Sequence, residues 1–77
     1  TMLRYRVPDG GARVDLGVYD LQGRLVKTLV RGHRDGGVHE VAWRGTDAAG
    51  RGVPSGIYFC RMKAGGFSQT RKMILLQ

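Results

Sequence analysis

Apolar and polar residues alternate along most of the chain, and no sustained helical stripe competes with that period of two. Leu3, Tyr5 and Val7 alternate with Met2, Arg4 and Arg6, predicting a strand with one polar face. Pro8-Asp9-Gly10-Gly11 reads as a turn, with proline presetting φ and the glycines accepting positive φ. Val14, Leu16 and Val18 alternate with Arg13, Asp15 and Gly17 in the clearest strand of the sequence. Tyr19 to Arg24 turns the chain into a third strand, Leu25 to Arg31, with Gly23 suited to a left-handed position. A helix competes only at Leu21 to Val30, where Leu21, Leu25 and Leu29 stand four apart. The β-branched Val26, Thr28 and Val30 favour the strand.

His33 to Gly37 predicts a polar, glycine-rich loop. A strand follows from Val38 to Trp43, with His39, Val41 and Trp43 on one face and Val38, Glu40 and Ala42 on the other. Arg44 to Ser55, rich in Gly, Asp, Ala and Pro, has no strong pattern. Gly56 to Ala64 begins apolar on both faces, as in a central strand. Gly65-Gly66 then signals a hairpin into a last strand, Phe67 to Gln77. That makes six strands, or seven if Gly52 to Pro54 adds a short edge. Short strands at intervals of about ten residues with glycine turns describe an all-β sandwich. The pattern shows no internal repeat and no second domain.

Composition narrows the functional classes. Seventy-seven residues make one small domain; a chain this short buries only about 60% of its unfolded surface, enough for a thin core. Cys60 is the sole cysteine, which excludes an internal disulfide and any multi-thiolate metal site. It reads as a small buried hydrophobe, with dimerisation through an exposed thiol as the alternative. No apolar run reaches the length of a membrane span, and no signal segment opens the chain. Entry into a strand pattern at the first residues suggests a module excised from the C-terminal end of a longer protein.

The search for chemistry returns little. His33 and His39 are the only histidines, Ser55, Ser68 and Cys60 the available nucleophiles, and no nucleophile elbow is present. Glu40 is the only glutamate, so paired carboxylates are scarce, and the chain reads as non-enzymatic with no cofactor. His33, Asp35 and His39 match no standard zinc spacing, and Asp47 alone is too few oxygens for calcium. Gly50 to Ser55 has the first two glycines of a dinucleotide fingerprint but precedes a strand rather than a helix. The formal charge of +7, with ten of thirteen cations arginine, is the one feature asking for a partner. Arg4, Arg6, Arg61 and Lys63 fall on outward positions of alternating strands. They read first as a solvated face that discourages edge pairing, and second as a flat surface for an anionic polysaccharide or lipopolysaccharide. Exposed aromatics are not interleaved with them as in nucleic-acid readers, so no specific nucleic-acid partner is expected.

Two aromatic residues have structural readings. Trp43 is expected to be the largest single piece of core. Tyr58, at a strand entrance after Pro54-Ser55-Gly56, suits a tyrosine corner whose hydroxyl bonds the backbone a few residues upstream.

In chain order, these residues carry a family resemblance. Leu3 to Pro8, Val18 to Val26, His39 to Trp43, Gly45 to Arg51, Pro54 to Phe59 and Thr70 to Met73 together resemble the FlgD-type immunoglobulin-like domain. The pattern is also similar to C-terminal sorting domains of type IX secretion. The resemblance implies an immunoglobulin-like or fibronectin III-like antiparallel sandwich without catalysis. It further implies a bacterial secreted or cell-surface parent, whose tail is read by secretion machinery and cleaved during attachment to lipopolysaccharide. Arg71 and Lys72 would be the recognition positions, matching basic residues before a final apolar strand. The long Trp43-to-Gly56 connection looks like the hook-cap type, which implies a structural assembly role as the alternative. Edge strands leave self-assembly open as well.

Overall fold

The computed structural model describes all residues from Thr1 to Gln77 and contains six strands and no helix. They are β1 (Met2–Val7), β2 (Ala12–Tyr19), β3 (Leu25–Arg34), β4 (Gly37–Ala42), β5 (Gly56–Ala64) and β6 (Phe67–Leu75). Two antiparallel sheets form the sandwich, one pairing β1 with β4 and the other running β3-β2-β5-β6. The molecule measures 38 × 20 × 19 Å, so the core is a single layer of side chains.

Alternation places the core as the pattern predicts. Leu3, Tyr5 and Val7 turn inward from β1, while Val14, Leu16 and Val18 turn inward from β2. Tyr58, Cys60, Met62 and Ala64 are the buried positions of β5. One buried cluster gathers Val7, Val14, Leu16, Val30, Cys60, Met62 and Ala64; the other gathers Val18, Trp43, Tyr58 and Leu75. At roughly 1.5–3 kcal/mol per fully buried large apolar side chain, these clusters are the principal favourable term in folding.

Three segments differ from the expected pattern. The third strand continues past Arg31 to Arg34, because β2 supplies ladder partners for Gly32, His33 and Arg34, and the loop shrinks to Asp35-Gly36. Backbone pairing with a neighbouring strand outweighs the local preference of Gly32 for a turn. Gly52 to Pro54 forms no seventh strand, only an isolated bridge between Thr46 and Gly52. The last strand ends at Leu75, and Leu76 and Gln77 leave the ladder.

The two sides of the sandwich are unlike. On one side, β3 leads through Asp35-Gly36 directly into β4, so the chain itself closes the gap between sheets. On the other side β1 and β6 are both sheet edges, and no strand lies between them. Two strands facing four leave a ledge: the surface of 5126 Å² exceeds the roughly 4,700 Å² typical of this mass.

Candidate functional site

The long connection after β4 is rigidly built. Trp43 is 1% exposed. Its ring meets that of Tyr58 edge-on at 5.1 Å, and its indole Nε1–H donates to the Thr46 carbonyl at 2.9 Å. Thr1 and Trp43 exchange backbone hydrogen bonds in both directions, each 2.8 Å, extending the β1–β4 ladder by one pair. The Tyr58 hydroxyl donates to the Pro54 carbonyl at 2.6 Å, just before Gly56 opens β5 with a φ of +154°. Gln77 holds the segment from the far end, with its amide donating to the carbonyls of Val53 and Gly45 and its backbone N–H to Ser55.

One repeated signal escaped the sequence reading. Asp20-Leu21-Gln22-Gly23-Arg24 and Asp47-Ala48-Ala49-Gly50-Arg51 are the same Asp-x-x-Gly-Arg turn. In each, the aspartate carbonyl accepts from the glycine N–H, and its carboxylate accepts from backbone N–H groups two and four residues on. Each glycine has positive φ, +83° at Gly23 and +82° at Gly50. Each arginine pairs back to its aspartate, at 2.9 Å for Arg24 and 3.4 Å for Arg51. The Arg24 backbone N–H, with that side chain, lowers the Asp20 pKa below its ordinary 3.8; the Arg51 N–H does the same for Asp47. Burial opposes the shift without overcoming it. The Asp47 carboxylate is therefore committed to its own turn.

The histidines are placed apart. His33 lies on the outer face of β3, opposite Arg13. His39 is half-buried on the inner side of β4, stacked on Tyr5 at 5.4 Å, with Nε2–H donating to the Asp35 carbonyl at 2.8 Å. No three His, Cys, Asp or Glu side chains gather as metal ligands. Cys60 is buried, and desolvation raises its thiol pKa despite the Arg71 charge nearby.

Arg71 and Lys72 are both exposed on β6 but do not form one patch. Arg71 pairs with the inward-facing Cys60, so its side chain leaves the inner face of the sheet into the gap beside β1. Lys72 pairs with Phe59 and projects from the opposite, outer face.

That outer face is basic. Arg13, Arg31, Arg61, Lys63 and Lys72 share it with one carboxylate, Asp15, which sits 3.9 Å from Arg13 and 3.7 Å from Arg31. Tyr19 and Phe59 interrupt the cations, and the Arg61 guanidinium lies 4.7 Å over the Tyr19 ring. Sequence reading missed these two aromatics, although alternation from Arg61 and Asp15 places both outward.

The edge side holds a groove of about 670 Å³, bordered by Arg4, Arg6 and Pro8 and by Phe67, Gln69 and Arg71. A narrower extension of about 190 Å³ reaches Leu16, Cys60 and Met62.

Residues 2–66, from β1 through the β5–β6 turn, match the family model described as the FlgD Ig-like domain. The chain belongs to that family. Strand β6, with Arg71 and Lys72, follows the matched region. No curated protein and no solved structure gives a significant match. A FlgD Ig-like domain is a structural, non-catalytic type of module, and the sandwich geometry agrees with it.

Proposed function

We propose that this FlgD Ig-like domain is a recognition module of a longer secreted or cell-surface bacterial protein, serving its export sorting or surface anchoring. The observation that carries this reading is strand β6. β6 is a sheet edge, and Arg71 and Lys72 are exposed on it with no carboxylate in salt-bridge range. Unpaired charges on an accessible edge need no rearrangement to be read by secretion machinery or by the phosphates of lipopolysaccharide. Because the two cations project from opposite faces, a reader would grip the strand from both sides.

Family membership favours a second reading, a spacer or assembly domain of a hook-like scaffold. A fusion separates the two. The domain is attached behind a periplasm-targeted reporter in a bacterium with type IX export, and reporter location and mass are followed. Sorting predicts reporter outside the cell with a domain-sized loss of mass, and its abolition in Arg71→Ala/Lys72→Ala. An intact fusion held in the periplasm overturns sorting and leaves the assembly role.

A further inference from the structure

We infer that the β1 edge is a strand-addition site that captures an extended acidic segment of a partner protein, seated in the groove between β1 and β6. Three observations converge on it.

The first is the direction of the β1 backbone. Thr1 and Trp43 exchange both hydrogen bonds, and the β1–β4 register then runs without a shift. Antiparallel pairs alternate between hydrogen-bonded and non-bonded positions. Leu3, Tyr5 and Val7 therefore face β4 with their N–H and C=O groups, and those of Met2, Arg4 and Arg6 point to the open edge. An incoming strand finds a regular row of donors and acceptors there.

The second is the uncovered half of β6. Phe67, Gln69 and Arg71 point to the inner side of the sheet yet are exposed, whereas Met73 and Leu75 on the same side are covered. Phe67 is 49% exposed although it faces the layer where the core lies. A strand beside β1 would lay alternate side chains across Tyr5 and Phe67, toward the smaller cavity lined by Leu16, Cys60 and Met62.

The third is charge. Arg4, Arg6 and Arg71 border the groove, and none is in a salt bridge or side-chain hydrogen bond; Arg13, Arg24, Arg31 and Arg51 have carboxylate partners, while Arg34, Arg44 and Arg61 lack one but lie outside the groove. A strand paired to β1 places its outward side chains beside Arg4 and Arg6. Carboxylates fit there, and apolar residues fit the inward positions. Antiparallel pairing with β1 of a second copy would set these arginines against each other, which disfavours self-pairing. The occupant that fits is an extended partner segment, other than a second β1, whose sequence alternates Asp or Glu with Val, Ile or Leu.

This site shares Arg71 with the sorting reading but does not rest on it, and a reporter retained in the periplasm would leave it untouched. The test uses the ¹⁵N-labelled 77-residue chain with a capped peptide alternating Glu and Val, a Lys-for-Glu counterpart, and polyglutamate. Saturable binding of the Glu–Val peptide is expected, at least tenfold tighter than either control, with amide exchange slowed at Arg4 and Arg6. Arg4→Glu/Arg6→Glu, two exposed changes that leave the core intact, should invert the preference toward the Lys peptide. Arg6→Pro keeps the β4 ladder, because its lost N–H points outward, and should abolish binding with melting unchanged. The inference is overturned by unchanged exchange at Arg4 and Arg6, or by shifts confined to Arg61 and Lys63. Equal binding of polyglutamate, or a dimer whose interface protects the same amides, overturns it too.

Discussion

Replacing Trp43 with alanine tests where the strength of this sandwich lies. Trp43 is 1% exposed, meets Tyr58 edge-on, and donates its indole N–H to Thr46. Truncation of a buried aromatic costs about 3–5 kcal/mol from lost transfer energy and the residual cavity. Seventy-seven residues at roughly 0.05–0.15 kcal/mol each give a total stability of about 4–12 kcal/mol. The variant should therefore sit near the edge of folding, with Tm lower by at least about 12 °C at roughly 4–8 °C per kcal/mol. Urea titration followed by far-ultraviolet circular dichroism measures it, since the substitution removes the only tryptophan. Tyr58→Phe is the control: it keeps the ring and removes the 2.6 Å bond to Pro54, a loss of about 1 kcal/mol. A Trp43→Ala loss within roughly 0.5 kcal/mol, the range of ordinary surface changes, would refute the assignment of this residue as the centre of the second cluster.

Other expectations follow from the turns and the thiol. Asp20 and Asp47 have folded pKa values below 3.8, so their contribution is present above that pH and lost as pH falls through the folded values. Asp20→Asn/Asp47→Asn should flatten the fall of Tm below about pH 4; an unchanged acid limb sinks this account. Gly23→Ala and Gly50→Ala each place a Cβ in open space but at positive φ, so both should lose about 1–2 kcal/mol, and by similar amounts. A large loss at one glycine with none at the other would show that the turns are not equivalent. The Cys60 thiol, buried and raised in pKa, should react with iodoacetamide at pH 8 much more slowly in the folded chain than in urea. Equal rates would place the sulfur at the surface.

The fold was legible wherever one face of a strand is buried and the other is wet. In β1, β2 and the second half of β5, from Arg61 to Ala64, that contrast writes a period of two into the sequence, and a one-residue slip would expose the whole core set. Gly65-Gly66 was legible for a similar reason: Gly65, at φ +60°, takes the first central position of a two-residue hairpin turn. The end of β3 was not, because Gly32 and His33 are strand residues only by virtue of their partners on β2. Strand β6 gave the weakest signal, since most of its residues are exposed on both faces and selection for alternation is relaxed there. That is also why Arg71 and Lys72 read as a neighbouring pair when the pleat separates them. The Asp-x-x-Gly-Arg repeat was present in plain letters, but five-residue turns are hidden from a search for domain-sized repeats.

The distribution of arginines ties the fold to its use. A sheet edge is a hazard because its free backbone groups pair with any extended chain, and charged side chains are a usual guard. Paired arginines would guard poorly, since a neutralised side chain no longer repels a second basic edge. Here each turn arginine has its own aspartate and Arg13 and Arg31 share Asp15, whereas Arg4, Arg6 and Arg71 at the open groove have no carboxylate, as is also true of Arg34, Arg44 and Arg61 elsewhere. The unpaired Arg4 and Arg6 on β1 disfavour pairing with a second copy of that edge while attracting carboxylates. The charge that disfavours β1–β1 pairing is thus the same charge by which, on the strand-addition proposal, that edge selects an acidic partner.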